Sequence, residues 1–152
     1  MIDRCGDLRH ACFGAVTAQA AHARGVAGVV IDGFVTDLSA LLALGLPVWC
    51  RGRSPITTRN RQMSGHVGGT VTCGGSMVGR GDIILADESG VVVLDPETVA
   101  ENAAIALKMQ QDEIDILRRL QAGETLKAIN AQTKPEDDGT RRRFLNLNFR
   151  QQ

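Results

Sequence analysis

Residues 25–37, GVAGVVIDGFVTD, constrain the fold of this chain more than any other stretch. The apolar run 26–31 has the length and β-branched content of a buried strand. Before it, residues 11–24 (ACFGAVTAQAAHAR) are alanine-rich and free of proline, which favours a helix. That helix is expected to start near Phe13-Gly14, with Gly25 at its C′ position. Val16, Ala20, Ala23 and Ala27 give it a small-residue face able to pack close to a sheet. After the strand, Asp32-Gly33 and Thr36-Asp37 read as a polar loop. Residues 37–44 follow as a short helix with Asp37 at its cap and Gly45 at its end, and 46–50 as a second strand. Strands joined through helices at this spacing lie parallel, and ligands bind at their carboxyl ends. Asp37 and its surroundings are therefore the candidate site.

The rest of the chain divides by composition. Residues 1–3 have strand character and 3–7 turn character, so most of that first strand is expected to lie before residue 1. Residues 51–69 are polar and basic. Arg51, Arg53, Arg59 and Arg61 read there as a solvated loop, with an anion-binding loop as the alternative. The chain contains no G-x-x-x-x-G-K-[ST], which excludes a P-loop. His22 is placed at the surface or end of the first helix, and His66, alone in that loop, is a weak acid or base candidate. Residues 70–94 read as four strands, at 70–73, 76–78, 83–86 and 91–94, separated by turns rich in Gly and Asp. Arg80-Gly81-Asp82 is one of these turns. Residues 96–131 form a long helical stretch, capped by Asp95 with Pro96 at N1. A break or an exposed segment is expected at 108–113, an end at Gly123, and a last short turn at 125–129. Residues 132–152 shift composition and lose periodicity, as a disordered tail does, so the domain is taken as residues 1–131.

Composition narrows the functional classes. Seventeen basic and seventeen acidic residues cancel, so no global field draws the chain to nucleic acid or anionic lipid. One Trp, four Phe and no Tyr cannot build a stacking platform for single strands. No apolar run approaches the roughly 18 residues of a membrane span, and no signal-peptide segment follows Met1-Ile2-Asp3-Arg4. Cys5, Cys12, Cys50 and Cys73 include no C-x-x-C pair, and the spacing of Cys5, His10 and Cys12 fits no standard zinc pattern. Free thiols and a soluble, cytoplasmic protein are the expectation.

Four segments, ARGVAGVVIDGFVTD, LGLPVWCRGRSP, CGGSMVGRGDIILADESGVVVL and LRRLQAGETL, resemble the RraA-like family in this order over about residues 1–129. That family includes 4-hydroxy-4-methyl-2-oxoglutarate (4-carboxy-4-hydroxy-2-oxoadipate) aldolases and regulators of ribonuclease E. The resemblance implies an α/β fold, a swivelling β/β/α sandwich with a long C-terminal helix. It implies assembly as a homotrimer with the active site between subunits. It also implies that the family's N-terminal portion is absent here.

By the same resemblance the chemistry is aldol cleavage of 2-oxo acids to pyruvate, with oxaloacetate decarboxylation on the same site. A divalent cation, Mg²⁺ or Mn²⁺, polarises the keto oxygen and steadies the developing pyruvate enolate. The residues that match the family's substrate-carboxylate amides are Gly14, Ala15, Val16 and Thr17, at a helix start. The metal-binding aspartate matches Asp37. The family's substrate-binding arginine falls on Thr36, and its upstream acidic residue falls on Ala15, with 20 residues between it and Thr36. A further acidic residue, contributed by a neighbouring subunit's C-terminal helix, matches Asp112 or Glu113. Thr36 offers one neutral hydrogen bond where the family has a cation, a loss worth several powers of ten in rate. Arg51, Arg53 and Arg59 are the nearby cations able to replace it. The alternative is a non-catalytic relative that binds a protein partner such as a ribonuclease.

Overall fold

The structure is a computed structural model that describes residues 1–58 and 64–132. Arg59, Arg61 and the tail from residue 133 lie outside the described residues. The chain forms two compact units, residues 1–100 and a second that begins at Glu101.

The first unit contains, in order, β1 (Ile2–Asp3), β2 (Ala11–Phe13), α1 (Ala15–His22), β3 (Val29–Val35), α2 (Leu38–Leu44) and β4 (Val48–Arg53). Two hairpins follow, β5 (Val71–Cys73) with β6 (Ser76–Val78), and β7 (Ile83–Asp87) with β8 (Gly90–Leu94). β3 is the centre. β1 and β2 pair with its first and second halves along one edge, β4 pairs along the other, and all are parallel. Parallel neighbours cannot be joined by a tight turn, so α1 and α2 act as the crossovers into and out of β3. Every second residue of β3, namely Val29, Ile31, Gly33 and Val35, is buried. Ala18 of α1 and Leu41 of α2 share a core with Phe13, Val29, Ile31, Val35 and Leu46. Each large apolar side chain removed from water there contributes about 1.5–3 kcal/mol.

The opposite face of the sheet is pinned to the hairpins by polar contacts. Gly74 N donates to Asp32 Oδ2 at 2.9 Å, and Thr72 N to Asp3 Oδ2 at 3.3 Å. Trp49 Nε1 donates to the Asp87 carbonyl at 2.7 Å. Helices on one face and hairpins on the other give the β/β/α layering implied by the resemblance.

α3 runs from Val99 to Gln121, about 35 Å of helix that belongs to the second unit from Glu101 on, and α4 in that unit spans Leu126–Gln132. Arg119 joins them, donating to both carboxylate oxygens of Glu124 and, at 2.6 Å, to Gln132 Oε1.

Several boundaries differ from expectation. Residues 11–13 are a strand rather than part of the helical stretch, because they pair with Phe34 and Val35, and the helix begins at Ala15 with Gly14 as its N-cap, beside the expected start. Its buried face is Ala18, with Ala21 partly buried, while Val16 is 84% exposed. An alanine-rich helix reads alike on every side, and its phase is set by where it starts. The central strand begins at Val29 and runs through Asp32-Gly33 to Val35, so Asp32 lies on the strand and not in a loop. Arg51 and Arg53 likewise belong to β4. Of the two readings of 108–113 the exposed segment holds, since α3 is continuous and exposed there, although it begins only at Val99. Asp95 instead closes the turn that precedes α3, its Oδ1 accepting Glu97 N at 2.8 Å, and Pro96 lies in that turn rather than at N1.

Candidate active site

Two chain ends meet beside β3. Thr36 N donates to the Phe13 carbonyl at 2.9 Å, so the segments leaving β2 for α1 and β3 for α2 emerge side by side. Gly14 is the N-cap of α1 and has no side chain to offer. Thr17 closes the turn instead: its hydroxyl accepts Gly14 N and donates to Gly14 O, both at 2.9 Å. Gly14 is extended (φ −157°), so its backbone does not demand glycine, but its surroundings do. A Cβ there would lie 2.6 Å from Thr36 Cγ2 and 2.7 Å from Asp37 Oδ2.

Asp37 is left-handed (φ 56°, ψ 41°), a conformation that costs a non-glycine residue on the order of 1 kcal/mol. Its carbonyl accepts Ala40 N and Leu41 N and so starts α2. Its carboxylate does not cap α2. Instead Oδ2 accepts Ala15 N at 3.0 Å, placing a negative charge at the positive end of α1. Thr36 Oγ1 approaches Oδ1 at 3.4 Å. The amides of Val16 and Thr17 have no partner among the described residues.

Gly14, Ala15, Val16, Thr17, Thr36 and Asp37, named from the sequence, thus gather at one place. Of the arginines suggested to replace the missing cation, Arg51 is committed elsewhere, its Nε donating to Asp32 Oδ1 on the sheet. Arg53 stands in register with Val35, next to Thr36 in the chain, and Arg59 lies outside the described residues. Asp112 and Glu113 belong to the second unit.

The chemistry of the donor set decides whether a divalent cation fits. No group of three His, Cys, Asp or Glu gathers among the described residues, so a protein cage for a metal is absent among them. Among the described residues gathered here Asp37 is the one carboxylate, with lone pairs left after its two hydrogen bonds. One carboxylate, with water and a chelating ligand completing the shell, suits Mg²⁺ or Mn²⁺, which keep much of their hydration.

Two polar networks escaped the sequence. In the first, the Arg51 guanidinium beside Asp32 holds its carboxyl below the usual range, against burial and with help from Gly74 N. Its only sequence signal is an acid and a base at matching positions of adjacent strands. In the second, Asp7 accepts Arg9 N, His10 N, His10 Nδ1 and Arg4 Nη2. The Arg9 amide foremost, then the His10 and Arg4 groups, hold the Asp7 carboxyl well below its ordinary value despite burial.

These features define an α/β protein with an acidic residue and open helix amides at the carboxyl end of a central parallel strand. The chain belongs to the RraA-like family: the family profile, described as Aldolase/RraA, matches residues 1–93. It is 33% identical over 131 residues to a Halalkalibacterium halodurans protein provisionally named 4-hydroxy-4-methyl-2-oxoglutarate aldolase, covering 86% of this chain and 61% of that one. Among solved structures it resembles an uncharacterized Pseudomonas syringae protein (TM-score 0.75, 27% identity, 84% of this chain and 64% of that one). It also resembles Streptomyces coelicolor RraAS2, an unusual member of the RNase ES inhibitor RraA family (TM-score 0.67, 27% identity, 77% and 61%). The chain spans about 60% of the length of the first curated relatives it matches.

Proposed function

We propose that this chain is a cytoplasmic, divalent-metal-dependent carbon–carbon lyase for 2-oxo acids. Its substrates would be of the 4-hydroxy-4-methyl-2-oxoglutarate type, cleaved to pyruvate, with oxaloacetate decarboxylated on the same site. The observation that carries the reading is the strained, left-handed Asp37, whose carboxylate faces the start of α1. In this reading the free amides of Val16 and Thr17 receive the substrate carboxylate, assisted by the helix dipole. Asp37 holds the cation, and Thr36 Oγ1 donates a neutral hydrogen bond to substrate. A bound Mg²⁺ or Mn²⁺ supplies Lewis-acid polarisation of the keto oxygen. Gly14 keeps the approach clear, since no side chain fits between Thr36 and Asp37. The family's trimeric assembly is part of the proposal, and sedimentation of the purified chain tests it.

The test is pyruvate release from oxaloacetate with Mg²⁺ or Mn²⁺. Release is expected with metal, lost in Asp37→Ala and raised at least tenfold in Thr36→Arg, which restores a cation. No release above background with either metal refutes the proposal.

A second reading, a regulator that binds a ribonuclease, is favoured by Thr36 and Ala15, which leave Asp37 as the one charge among the six gathered residues. It predicts inhibition of a ribonuclease E-type enzyme by stoichiometric chain, unaffected by Asp37→Ala.

A further inference from the structure

A cavity of about 240 Å³ lies between the sheet and the two hairpins, on the face away from α1 and α2. At the roughly 30 Å³ that a water takes in the liquid, it has room for about eight. Close-packed layers leave few voids larger than one water, so this space exceeds an ordinary packing gap. Val30 of β3 and Val91 and Val93 of β8 line it, and all three stay half-buried. Trp49 of β4 adds its ring. The indole Nε1 is spent on the Asp87 carbonyl, so Trp49 offers an apolar face and no further donor.

The polar side of the cavity has donors left over. Both Asp32 oxygens are engaged, Oδ1 by Arg51 Nε and Oδ2 by Gly74 N at 2.9 Å. Arg51 spends only its Nε, so Nη1 and Nη2 have no partner among the described residues. Its side chain is 49% exposed, and the hydrogen bond to Asp32 pushes the guanidinium further up, so it stays charged. Ser76 of β6 also lines the cavity, and its hydroxyl has no partner among the described residues. We propose that this cavity is a further binding site, for a small monocarboxylate with a planar apolar or aromatic body. The two Nη groups form an end-on fork that matches the two oxygens of a carboxylate. The body then rests on Trp49 and the three valines, as in ligand sites where apolar walls surround a few placed polar groups. Asp32 sets the charge of the ligand, since a dianion would meet its carboxylate at close range. The site is separate from the proposed lyase site, because Asp37 stands beyond the end of β3.

The experiment titrates the purified chain with benzoate. It reads the fluorescence of Trp49, the sole tryptophan, together with amide NMR. Benzoate is expected to change the emission saturably and to shift the amides of Gly74, Ser76, Val91 and Val93. Benzyl alcohol has the ring without the charge, and acetate has the charge without the ring. Each is expected to bind at least tenfold more weakly than benzoate. Arg51→Lys keeps the charge and loses the fork, and should weaken benzoate at least fivefold. Ser76→Ala removes only an exposed hydroxyl and should weaken it about threefold, which keeps one variant readable if Arg51→Lys disturbs the sheet. The wild-type titration by itself overturns the proposal if benzoate gives no saturable change, if benzyl alcohol binds as tightly, or if the shifts fall on Val16 and Thr17 instead. Benzoate binding left unchanged by both substitutions overturns it as well.

Discussion

Replacing Gly14 by alanine tests the packing that creates the site. The extended backbone at Gly14 suits any residue, so the change carries no conformational strain. It should even gain about 0.4–1 kcal/mol by restricting the unfolded chain. Against this, the new methyl meets Thr36 Cγ2 at 2.6 Å and Asp37 Oδ2 at 2.7 Å. Both atoms sit on short side chains, and each must retreat by about 0.7–0.8 Å to reach ordinary contact. Overpacking of this kind costs about 1–3 kcal/mol. Displacing Asp37 from Ala15 N adds about 1 kcal/mol at an exposed position. The net expectation is a loss of about 1–3 kcal/mol. Urea unfolding followed by the fluorescence of Trp49, the sole tryptophan, reads it directly. Thr36→Ser removes the clashing methyl, so the double variant Gly14→Ala/Thr36→Ser should recover at least 0.5 kcal/mol beyond additivity, about the smallest coupling a cycle resolves. A Gly14→Ala protein as stable as the wild type, or strict additivity in the cycle, would refute the reasoning.

Three other outcomes follow from the packing and the charges. Leu41, 4% exposed in the core under α2, should cost about 2–5 kcal/mol when cut to alanine, measured in the same urea assay. The Asp7 and Asp32 carboxyls are depressed in the fold, so the unfolded chain takes up their protons more readily. Their stabilisation is complete above the ordinary value of 3.8 and fades as pH falls below it, so the urea midpoint should drop with acid, and less steeply in Asp32→Asn. Thiol labelling followed by mass spectrometry should modify the exposed Cys5 and Cys50 quickly, and Cys12 and Cys73 slowly, because burial pushes the latter two thiols up.

The parallel β-α-β core was legible because its signals are local and agree. A β-branched apolar run marks β3, and Gly45, left-handed at φ 71°, ends α2 as its position in the sequence suggests. The hairpins were legible from their turns, which fix register within a few residues. Strand limits were less so. Asp32-Gly33 looks like a turn in sequence, yet Asp32 stays in the strand because Arg51 and Gly74 N satisfy it from other strands. Such pairing is a tertiary fact with no local trace. The site residues were placed by family resemblance, and their meeting point by the strand-end rule. Neither signal told that Asp37 turns away from α2 toward Ala15, which depends on the absence of a single side chain at Gly14.

The central place of β3 has a consequence for how the site comes into being. Its partners are all parallel, so none can be recruited by a tight turn, and loop closure must precede each pairing. α1, at eight residues, is too short to persist in water alone. Its start is held by a residue that follows β3. The helix start, the strand end and Asp37 therefore have no stable existence apart from one another. On a refolding time course, the Ala15 amide should gain protection in the same step as the β3 amides rather than before them, so the site arrives only with the completed sheet.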